Sequence, residues 1–550
     1  MDSARIKLPM GVTGEEDRTL TRRDVVFIGA MVVIGLLIRV FCLRYYDVIS
    51  ADGTAYVGVA RGLRNLDFSG LVSYGFYPVL IWIAGMIIPD LETAGRVVSV
   101  LFGALLCIPV YLLGLELFSR RTAVAASIVL IVWPSLRHWS CEVMTQSVYT
   151  AFAFAGIYCI WRMIRDSSIK SSLLAGFFLG LAYVTRTEAI LLLILSPLPL
   201  LVACRRELKS KVPVLFAYSA VFATIVSANL LLVHHSTGSW QLATKTSVAL
   251  NDAISYVMKI PDLNYIPGVK PTSYLEILVE YPSFILKNTL YNLVELVKTL
   301  LPPPLWILLI IGVAAGGLSA ERNLVRVFLL AACAPLAVII VYYYVGPEYT
   351  QPYIPVILLF CAEGLRTAEN FIVSRLHPES LPTVVKQWLP QNPLTLSAAL
   401  VYALITFAGQ IPDSSATKEY LPESDGGRRD QKHLGLVLKQ NLPPGKIMTR
   451  WARIAFYSER EWVNIPNTDY NGIMTAAQEA GAKFLIVDGG LWEIRPGLGE
   501  DLFEPFVPGA FANGTYFNND KNSIVKPGLR PFMIYLNDPT SMGMVVYEII

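Results

Sequence analysis

The sequence predicts a polytopic α-helical membrane protein that carries a small soluble α/β domain at its C-terminal end. Three observations support this fold class. Hydrophobic residues make up 54% of the 550 residues and charged residues only 16%, whereas about a quarter of an ordinary soluble protein is charged. The apolar residues form runs long enough to cross a bilayer. After residue 411 the runs become short and alternate with polar segments, as in an α/β domain.

About eleven apolar segments are candidates for membrane-spanning helices, since such a helix needs about 20 mostly apolar residues. They lie near 24–44, 93–117, 122–136, 144–164, 171–185, 188–204, 212–233, 303–319, 323–345, 351–370 and 393–410. Residues 1–23 are polar, and the first apolar run is too long for a cleavable signal. We therefore expect a cytoplasmic segment over 1–23 and a membrane domain over 24–410.

The basic residues of the short loops set the orientation, because Lys and Arg are enriched on the cytoplasmic side. The five loops predicted to be cytoplasmic are all basic, with Arg120 and Arg121, then Arg162, Arg165 and Lys170, then Arg205, Arg206, Lys209 and Lys211, then Arg322 and Arg326, then Arg366, Arg375 and Lys386. Long outer loops then cover 45–92 and 234–301. An odd number of spans places 411–550 outside the inner (cytoplasmic) membrane.

The C-terminal segment 411–550 has the pattern of alternating strands and helices. After a linker around Pro422–Gly427, the predicted elements are strands at 446–450, 461–465 and Phe484–Val487, a helix near 470–481, and a last apolar run at 543–550. The turn Asp488–Gly490 is interpreted as a strand end, and the sequon Asn513–Thr515 as a chance match.

Charge and cysteine content exclude some classes of protein. The net charge of +3 lacks the concentrated basic face that a nucleic-acid partner needs. None of the seven cysteines lies after residue 361, so the C-terminal domain has no disulfide framework.

Charged residues beside the apolar segments indicate chemistry, since a charge in hydrocarbon costs at least a few kcal/mol. On the predicted outer side these are Arg39, Arg44, Asp47, Asp52, Arg96, Arg137, His138, Glu142, Arg186 and Glu188. Acids and bases there suit deprotonation of a hydroxyl while an anionic phosphate is held. Outside the membrane there is no nucleotide-sugar supply, so a lipid-linked sugar phosphate is the expected donor.

Other interpretations stay open at this point. Arg44 and Arg64 are interpreted as interfacial residues whose charged ends reach water. A transporter or flippase of a lipid-linked glycan also needs buried charges, although the soluble tail and the long outer loops break the expected symmetry between halves. A membrane-anchored outer domain without catalysis would need only one span.

Five segments, in this order and spacing, resemble motifs of the GT-C glycosyltransferases, and in particular of glycosyltransferase family 39. That family includes protein O-mannosyltransferases and lipid A aminoarabinose transferases. The segments are Ala51–Tyr56, Tyr77–Pro78 followed by Ala94–Arg96, Ser140–Thr145, Gly180–Glu188 and Gly481–Asp488. The resemblance is good over about 40–205 and implies a GT-C fold for 24–410.

The resemblance also implies roles for individual residues. Asp52 takes the position of the catalytic base, with Asp47 as an alternative, and Glu142 supports the acceptor or Asp52. The residues expected to hold the carrier phosphate are Arg96, Arg186 and Lys245. The supporting residues are Tyr56, Glu188 and His138. The expected partners are membrane lipids, a polyprenyl-phosphate sugar as donor and a lipid, glycan or protein acceptor, with no nucleic acid.

Two positions depart from the family pattern. Gln146 stands where members often have Glu, and Glu348–Tyr349 stands where they often have Arg-Tyr, so we assign no donor site at Glu348. The sequence offers no convincing metal-ligand cluster, because the adjacent His234 and His235 cannot easily share one face. We assign no metal ligand, although the expected chemistry allows a divalent cation. The sugar and the acceptor stay open.

Overall fold

A computed structural model describes residues 19–260, 273–317, 319–375, 394–408, 426–488, 514–517, 526–536 and 543–550, together with Leu491, Leu498 and Leu502. The chain divides into two compact units. The first comprises Met1–Tyr46, Tyr56–Leu250 and Ser273–Thr417, and the second comprises Asp47–Ala55, Asn251–Thr272 and Lys418–Ile550. One short segment from each of the two predicted outer loops therefore belongs to the same unit as the C-terminal residues.

Every apolar segment that the sequence marks as a span is helical in the first unit. The helices are Arg22–Leu43, Leu91–Leu105, Cys107–Leu117, Arg120–Val132, Gln146–Asp166, Ile169–Thr185, Ile190–Leu195, Leu198–Ala203, Leu208–Thr237, Pro303–Ala314, Ala320–Ala332, Ala334–Tyr342, Ile354–Arg375 and Leu394–Ala408. The connecting helices are Leu71–Tyr74, Tyr77–Ala84, Pro134–Cys141, Tyr274–Glu280, Pro282–Thr299 and Pro347–Thr350. Single 3₁₀ turns lie at Thr187–Ala189, Arg205–Glu207 and Gln351–Tyr353. The chain passes between the two units within helices Ala51–Arg64 and Thr246–Met258.

The chain is a multi-pass membrane protein by the length and composition of its helices. Within the described residues, four helical segments are long and apolar enough to cross a bilayer, and seven are if each of three sharply bent helix pairs counts as one span. Three further apolar helices are shorter. The figure of eleven spans stays a prediction.

A buried carboxylate joins three helices of the first unit. Glu363 is completely buried in helix Ile354–Arg375. It accepts hydrogen bonds from Arg366 at 2.7 Å and from the Thr122 hydroxyl at 2.8 Å, and Arg322 lies 3.3 Å away. Because both arginines come from loops predicted to be cytoplasmic, this acid ties the ends of the helices together.

Two more buried acids, Glu116 and Asp24, also pair with arginines of other helices. Glu116 is buried and pairs with Arg162 at 3.0 Å and Arg165 at 2.8 Å. Asp24 pairs with Arg120 at 2.9 Å. An ion in an apolar interior needs such a partner, since desolvation otherwise outweighs its other contacts.

The second unit contains one six-stranded sheet in the order β2-β1-β3-β6-β5-β4. The strands are β1 (Lys446–Thr449), β2 (Trp462–Val463), β3 (Ala482–Asp488), β4 (Gly514–Phe517), β5 (Leu529–Leu536) and β6 (Met544–Ile549). Strand β1 is parallel to β2 and β3, whereas the pairs β3–β6, β6–β5 and β5–β4 are antiparallel.

Helices cover both faces of this sheet because successive strand residues point to opposite sides. Leu485 and Val487 of β3 belong to a cluster with helix Tyr470–Ala480. Phe484 and Ile486 belong to a second cluster, with helices Gly426–Asn441 and Ala452–Tyr457.

Three features predicted from the C-terminal sequence fall on residues outside the described part. Of the predicted linker, only Gly426 and Gly427 are described, where they begin a helix. Gly489–Gly490 and Asn513 also lie outside the described residues.

We predict that Glu363→Gln destabilises the protein by about 3–5 kcal/mol, because two arginines that are 13% and 19% exposed lose their buried counter-charge. The measurement is thermal or denaturant unfolding in detergent. Glu295→Gln is the matched control, since its partner Lys298 is 63% exposed and such pairs contribute about 0–1 kcal/mol. Equal losses in the two variants would contradict a structural role for the buried acid.

Candidate functional site

Two of the recognised motifs are held together by a backbone contact. Helix Leu71–Tyr74 ends at Gly75, whose φ is +66°. The next amide, of Phe76, donates a hydrogen bond of 2.8 Å to the carbonyl of Val184. A Cβ on Gly75 would lie 2.3 Å from that oxygen, so glycine is required at this position. This hydrogen bond therefore holds the segment before Tyr77 against Val184, which lies two residues before Arg186 in the chain.

A third segment, the loop that carries Lys245, is fastened to the same two motifs. The Tyr183 hydroxyl donates to the carbonyl of Leu242 at 2.9 Å. The Thr244 hydroxyl donates to the carbonyl of Val72 at 2.9 Å. These bonds bring Lys245 to helix Leu71–Tyr74.

The exposed Lys245 stands over an aromatic row. Its Nζ lies 3.6 Å from the centre of the Tyr74 ring, a cation–π geometry. Tyr56 meets Tyr74 and Tyr77 edge-on, with ring centres 5.7 and 5.2 Å apart. The buried Tyr77 donates to the carbonyl of Gly95 at 3.0 Å and bonds the Ser99 hydroxyl at 2.7 Å. The rings of Tyr74, Tyr56 and Tyr77 thus connect Lys245 with helix Leu91–Leu105.

Arg186 begins the turn that follows helix Ile169–Thr185. Its Nε donates to Glu188 at 2.5 Å. Its guanidinium carbon lies 5.7 Å from the centre of the Tyr149 ring and 5.4 Å from that of Tyr349. The side chain is 14% exposed, so this cation is largely surrounded by aromatic faces and one carboxylate.

Arg96 and His138 meet at a different residue, Tyr46. Arg96 donates to the Tyr46 carbonyl through Nη1 and to Glu92 through Nη2 at 2.8 Å. The Tyr46 hydroxyl bonds Nδ1 of His138 at 2.9 Å. Glu142 is 2% exposed. The Arg96 guanidinium is thus engaged by two protein oxygens, one from Tyr46 and one from Glu92.

Asp47 and Asp52 belong to the second unit, where their surroundings differ. The Asp47 carboxylate lies 3.6 Å from Arg429, and its carbonyl accepts from Lys432. Asp52 lies in the first turn of helix Ala51–Arg64 and is exposed. Among the residues that the structure describes, no hydrogen bond or ion pair involves the Asp52 carboxylate. Of the two acids, Asp52 therefore has the carboxylate with fewer contacts to described residues.

Several side chains at this site had no predicted role. They are Tyr74, Tyr149, Gln351 and Tyr353. The aromatic residues beside charged motifs were visible in the sequence, but nothing there indicated which ring faces which cation. In the described part of the chain, no group of three or more His, Cys, Asp or Glu residues could hold a metal ion.

This chain is similar to a family of mannosyltransferases and to several solved structures. Residues 76–231 match the family model of dolichyl-phosphate-mannose-protein mannosyltransferases. ArnT from Cupriavidus metallidurans bound to undecaprenyl phosphate has a TM-score of 0.57 and 12% identity, over 96% of this chain and 98% of that one. The Archaeoglobus fulgidus oligosaccharyltransferase AglB, in complex with an inhibitory peptide and a dolichol-phosphate, has a TM-score of 0.53 and 13% identity, over 86% of this chain and 70% of that one. No curated protein matches the sequence.

These matches confirm the resemblance to GT-C glycosyltransferases related to family 39 that the motifs indicate. The chain shares the fold of both solved structures.

We predict that Gly75→Ala undocks the Tyr74–Tyr77 segment and lowers glycosyl transfer at least about tenfold, because a 1 Å displacement at a site can cost about a hundredfold. Gly238→Ala is the control: its φ is also positive, +71°, but no atom lies within 4 Å of the added Cβ. Both variants carry backbone strain, about 1–2 kcal/mol in the left-handed conformation of Gly238 and more at Gly75, whose ψ of −148° is adopted essentially by glycine alone. Unfolding measured in parallel therefore shows how much of the Gly75→Ala effect is lost stability. Equal activity in the two variants would show that the docking is unimportant.

Proposed function

We propose that this chain transfers a sugar from a polyprenyl-phosphate carrier to a lipid, glycan or protein acceptor on the outer face of the membrane, with inversion at the anomeric carbon. The observation that carries the proposal is the placement of Lys245 and Arg186 on segments docked to one another, in a chain with this fold. Both similar solved structures were obtained with polyprenyl phosphates.

Lys245 and Arg186 would hold the carrier phosphate. Ammonium and guanidinium groups form charge-assisted hydrogen bonds to phosphate oxygens. The same groups stabilise the negative charge that collects on the phosphate as the glycosidic bond breaks. The rings of Tyr74 and Tyr349 hold these cations at the site through cation–π contacts. Arg96 would contribute indirectly, because its hydrogen bond to the Tyr46 carbonyl fixes the backbone at Tyr46.

Asp52 would act as the general base. The acceptor hydroxyl oxygen forms a bond to the anomeric carbon, and the bond from that carbon to the phosphate oxygen breaks. The hydroxyl proton passes to the Asp52 carboxylate, and polyprenyl phosphate leaves with the electron pair. Because Asp52 engages no other described residue, its oxygens are available for this proton, whereas Asp47 is paired with Arg429.

The finer features of this function belong to the same proposal. The protein would reside in the inner membrane with the C-terminal sheet on the outer side, where a lipid-linked donor is the available sugar source. The residues Glu142 and His138 would support the acceptor side. A hexose and a pentose both fit this chemistry, and the reaction as written needs no metal.

Replacement of Asp52 with Asn is expected to leave the protein folded and to lower transfer by at least about a hundredfold, in the range of a lost general base. The assay uses purified protein in liposomes, radiolabelled polyprenyl-phosphate sugars and membrane lipid extract as acceptor. Asp67→Asn makes the same change at an exposed aspartate, whose side chain accepts from the nearby Ser69 amide at 3.0 Å.

Asp47→Asn decides between the two candidate bases. Loss of transfer in Asp47→Asn with retention in Asp52→Asn would assign the base to Asp47 instead. Movement of the labelled lipid across the bilayer without a covalent product would favour a transporter.

Lys245→Gln is expected to weaken binding of the carrier phosphate by about tenfold to a hundredfold, since hydrogen bonds to charged groups contribute about 1.5–3 kcal/mol. Binding of undecaprenyl phosphate to protein in detergent measures this directly. Lys259→Gln is the matched control, because Lys259 also lies over a tyrosine ring, with its Nζ 4.8 Å from the centre of Tyr256. Unchanged affinity in Lys245→Gln would remove this lysine from the phosphate site.

A further inference from the structure

One helix of the first unit, Pro282–Thr299, turns its apolar side outward and its polar side inward. Its exposed leucines and valines, here called the apolar stripe, recur at intervals of three and four and so lie on one side of the helix. They are Leu286, Leu290, Leu293, Val294 and Val297, each 44–64% exposed. On the opposite side, Phe284, Asn288 and Asn292 are completely buried. A helix on a surface that faces water has the reverse arrangement, which indicates that the apolar stripe faces an apolar medium.

The helix that follows indicates how Pro282–Thr299 is oriented. The axes of Pro282–Thr299 and Pro303–Ala314 are bent by 102°, so only one of the two helices can follow the bilayer normal. Pro303–Ala314 has no charged residue, as a helix in the hydrocarbon interior requires. The charged residues of Pro282–Thr299 are Lys287, Glu295 and Lys298. A helix with an apolar stripe and several charges suits the surface of a bilayer.

The apolar stripe adjoins a surface that already faces lipid. Ile307 and Ile310 of helix Pro303–Ala314 are each more than 60% exposed, and only three residues separate this helix from Thr299. Lys287 and Lys298 are exposed on the same helix as the stripe. Long lysine side chains can keep their apolar stems among lipid chains while the ammonium groups reach the lipid phosphates.

The buried side of the surface helix holds the end of helix Ala334–Tyr342. Nδ2 of Asn288 and Nδ2 of Asn292 donate to the Tyr343 carbonyl at 3.1 and 2.7 Å. Oδ1 of Asn292 accepts from the Val345 amide at 3.1 Å. The carbonyls at the end of a helix have no partners within it, and these asparagines supply them. The surface helix is thereby joined to the residues that follow Tyr343.

Those residues lead to a ring that faces the proposed phosphate site. Leu296 of helix Pro282–Thr299 packs in one hydrophobic cluster with Val345 and Tyr349. The centre of the Tyr349 ring lies 5.4 Å from the guanidinium carbon of Arg186. A displacement of the surface helix would therefore also displace the ring that faces Arg186.

We propose that the apolar stripe is embedded among the lipid chains of the outer leaflet, with helix Pro282–Thr299 lying along the bilayer surface, and that this contact fixes Tyr349 beside Arg186. The embedding is independent of the proposed function, whereas its effect on carrier binding rests on that function. Asn292 and Leu296 are positioning residues, because they act through Tyr349.

Spin labelling of the protein in liposomes tests the embedding. Leu290→Cys carries the label on the apolar stripe, and Leu436→Cys carries it on an exposed leucine of the charged helix Gly426–Asn441. Six of the native cysteines are buried and one is partly exposed, so labelling of the unaltered protein gives the background. Oxygen dissolves in the bilayer and a nickel chelate stays in water. The ratio of oxygen to nickel collision rates is expected to be several-fold higher for Leu290→Cys.

Two results would overturn the embedding. One is an equal collision ratio for Leu290→Cys and Leu436→Cys, which would place the apolar stripe in water. The other is spin–spin broadening in Leu290→Cys, which would show that a second copy of the chain covers the stripe.

Binding of undecaprenyl phosphate to protein in liposomes tests the link to Arg186. Leu290→Asp places a carboxylate among lipid chains and is expected to lower the affinity at least about tenfold, because a 1 Å displacement at a site is already costly. Leu290→Ile keeps the stripe apolar and is expected to retain the affinity. Leu436→Asp is the matched control for the added charge and is expected to retain it too.

Asn292→Leu provides a second variant if Leu290→Asp does not insert. It removes the bonds to Tyr343 and Val345 and leaves the apolar stripe unchanged. The expected result is the same loss of affinity, with an unaltered collision ratio when it is combined with Leu290→Cys. Full affinity in both Leu290→Asp and Asn292→Leu would overturn the link to Tyr349. Absence of binding by the unaltered protein would count against the proposed function, while the collision ratio would still decide the embedding.

Discussion

The cost of removing charges from water shapes the membrane unit, and charged residues at two places in it are held in different ways. Near the predicted cytoplasmic ends, Glu363 and Glu116 each lie between two arginines and join their helices. Around the candidate site, Lys245 lies over the Tyr74 ring, and Arg186 faces the Tyr149 and Tyr349 rings while its Nε donates to Glu188. The first arrangement stabilises the fold, and the second adds cation–π contacts that hold positive charge at the site.

The aromatic rings can face Lys245 and Arg186 because hydrogen bonds and one close backbone approach fix the segments that carry them. The approach of Gly75 to Val184, the bond from Tyr183 to Leu242 and the bond from Thr244 to Val72 fasten three segments that are far apart in the chain. Tyr77 continues this support into helix Leu91–Leu105 through its hydroxyl. A site that binds a charge-bearing transition state gains from such fixed geometry, because little reorganisation is needed when the reaction occurs.

Hydropathy predicted the helices, and the motifs indicated candidate site residues, but neither predicted the contacts between those residues. Each apolar segment of about 20 residues is helical because a bilayer imposes that length. The pairing of Arg96 with Glu92 could have been predicted, since they lie four residues apart on one helix. The contact of Lys245 with Tyr74 could not, because it depends on how distant loops fold. Likewise Gln146 was visible as a departure from the family pattern, but its unpaired amide oxygen appears only once its burial is known.

The pairing of Arg186 with Glu188 bears on how a donor would be recognised. A guanidinium has five N–H groups, and Glu188 accepts from Nε, so an anion can approach the terminal nitrogens without breaking the pair. The carboxylate then reduces the attraction for any single negative charge, including that of a free carrier phosphate. Under the proposed function, binding energy would accordingly come also from contacts with the sugar. A carrier that has already lost its sugar would be held less tightly, which favours release of the spent polyprenyl phosphate after each transfer.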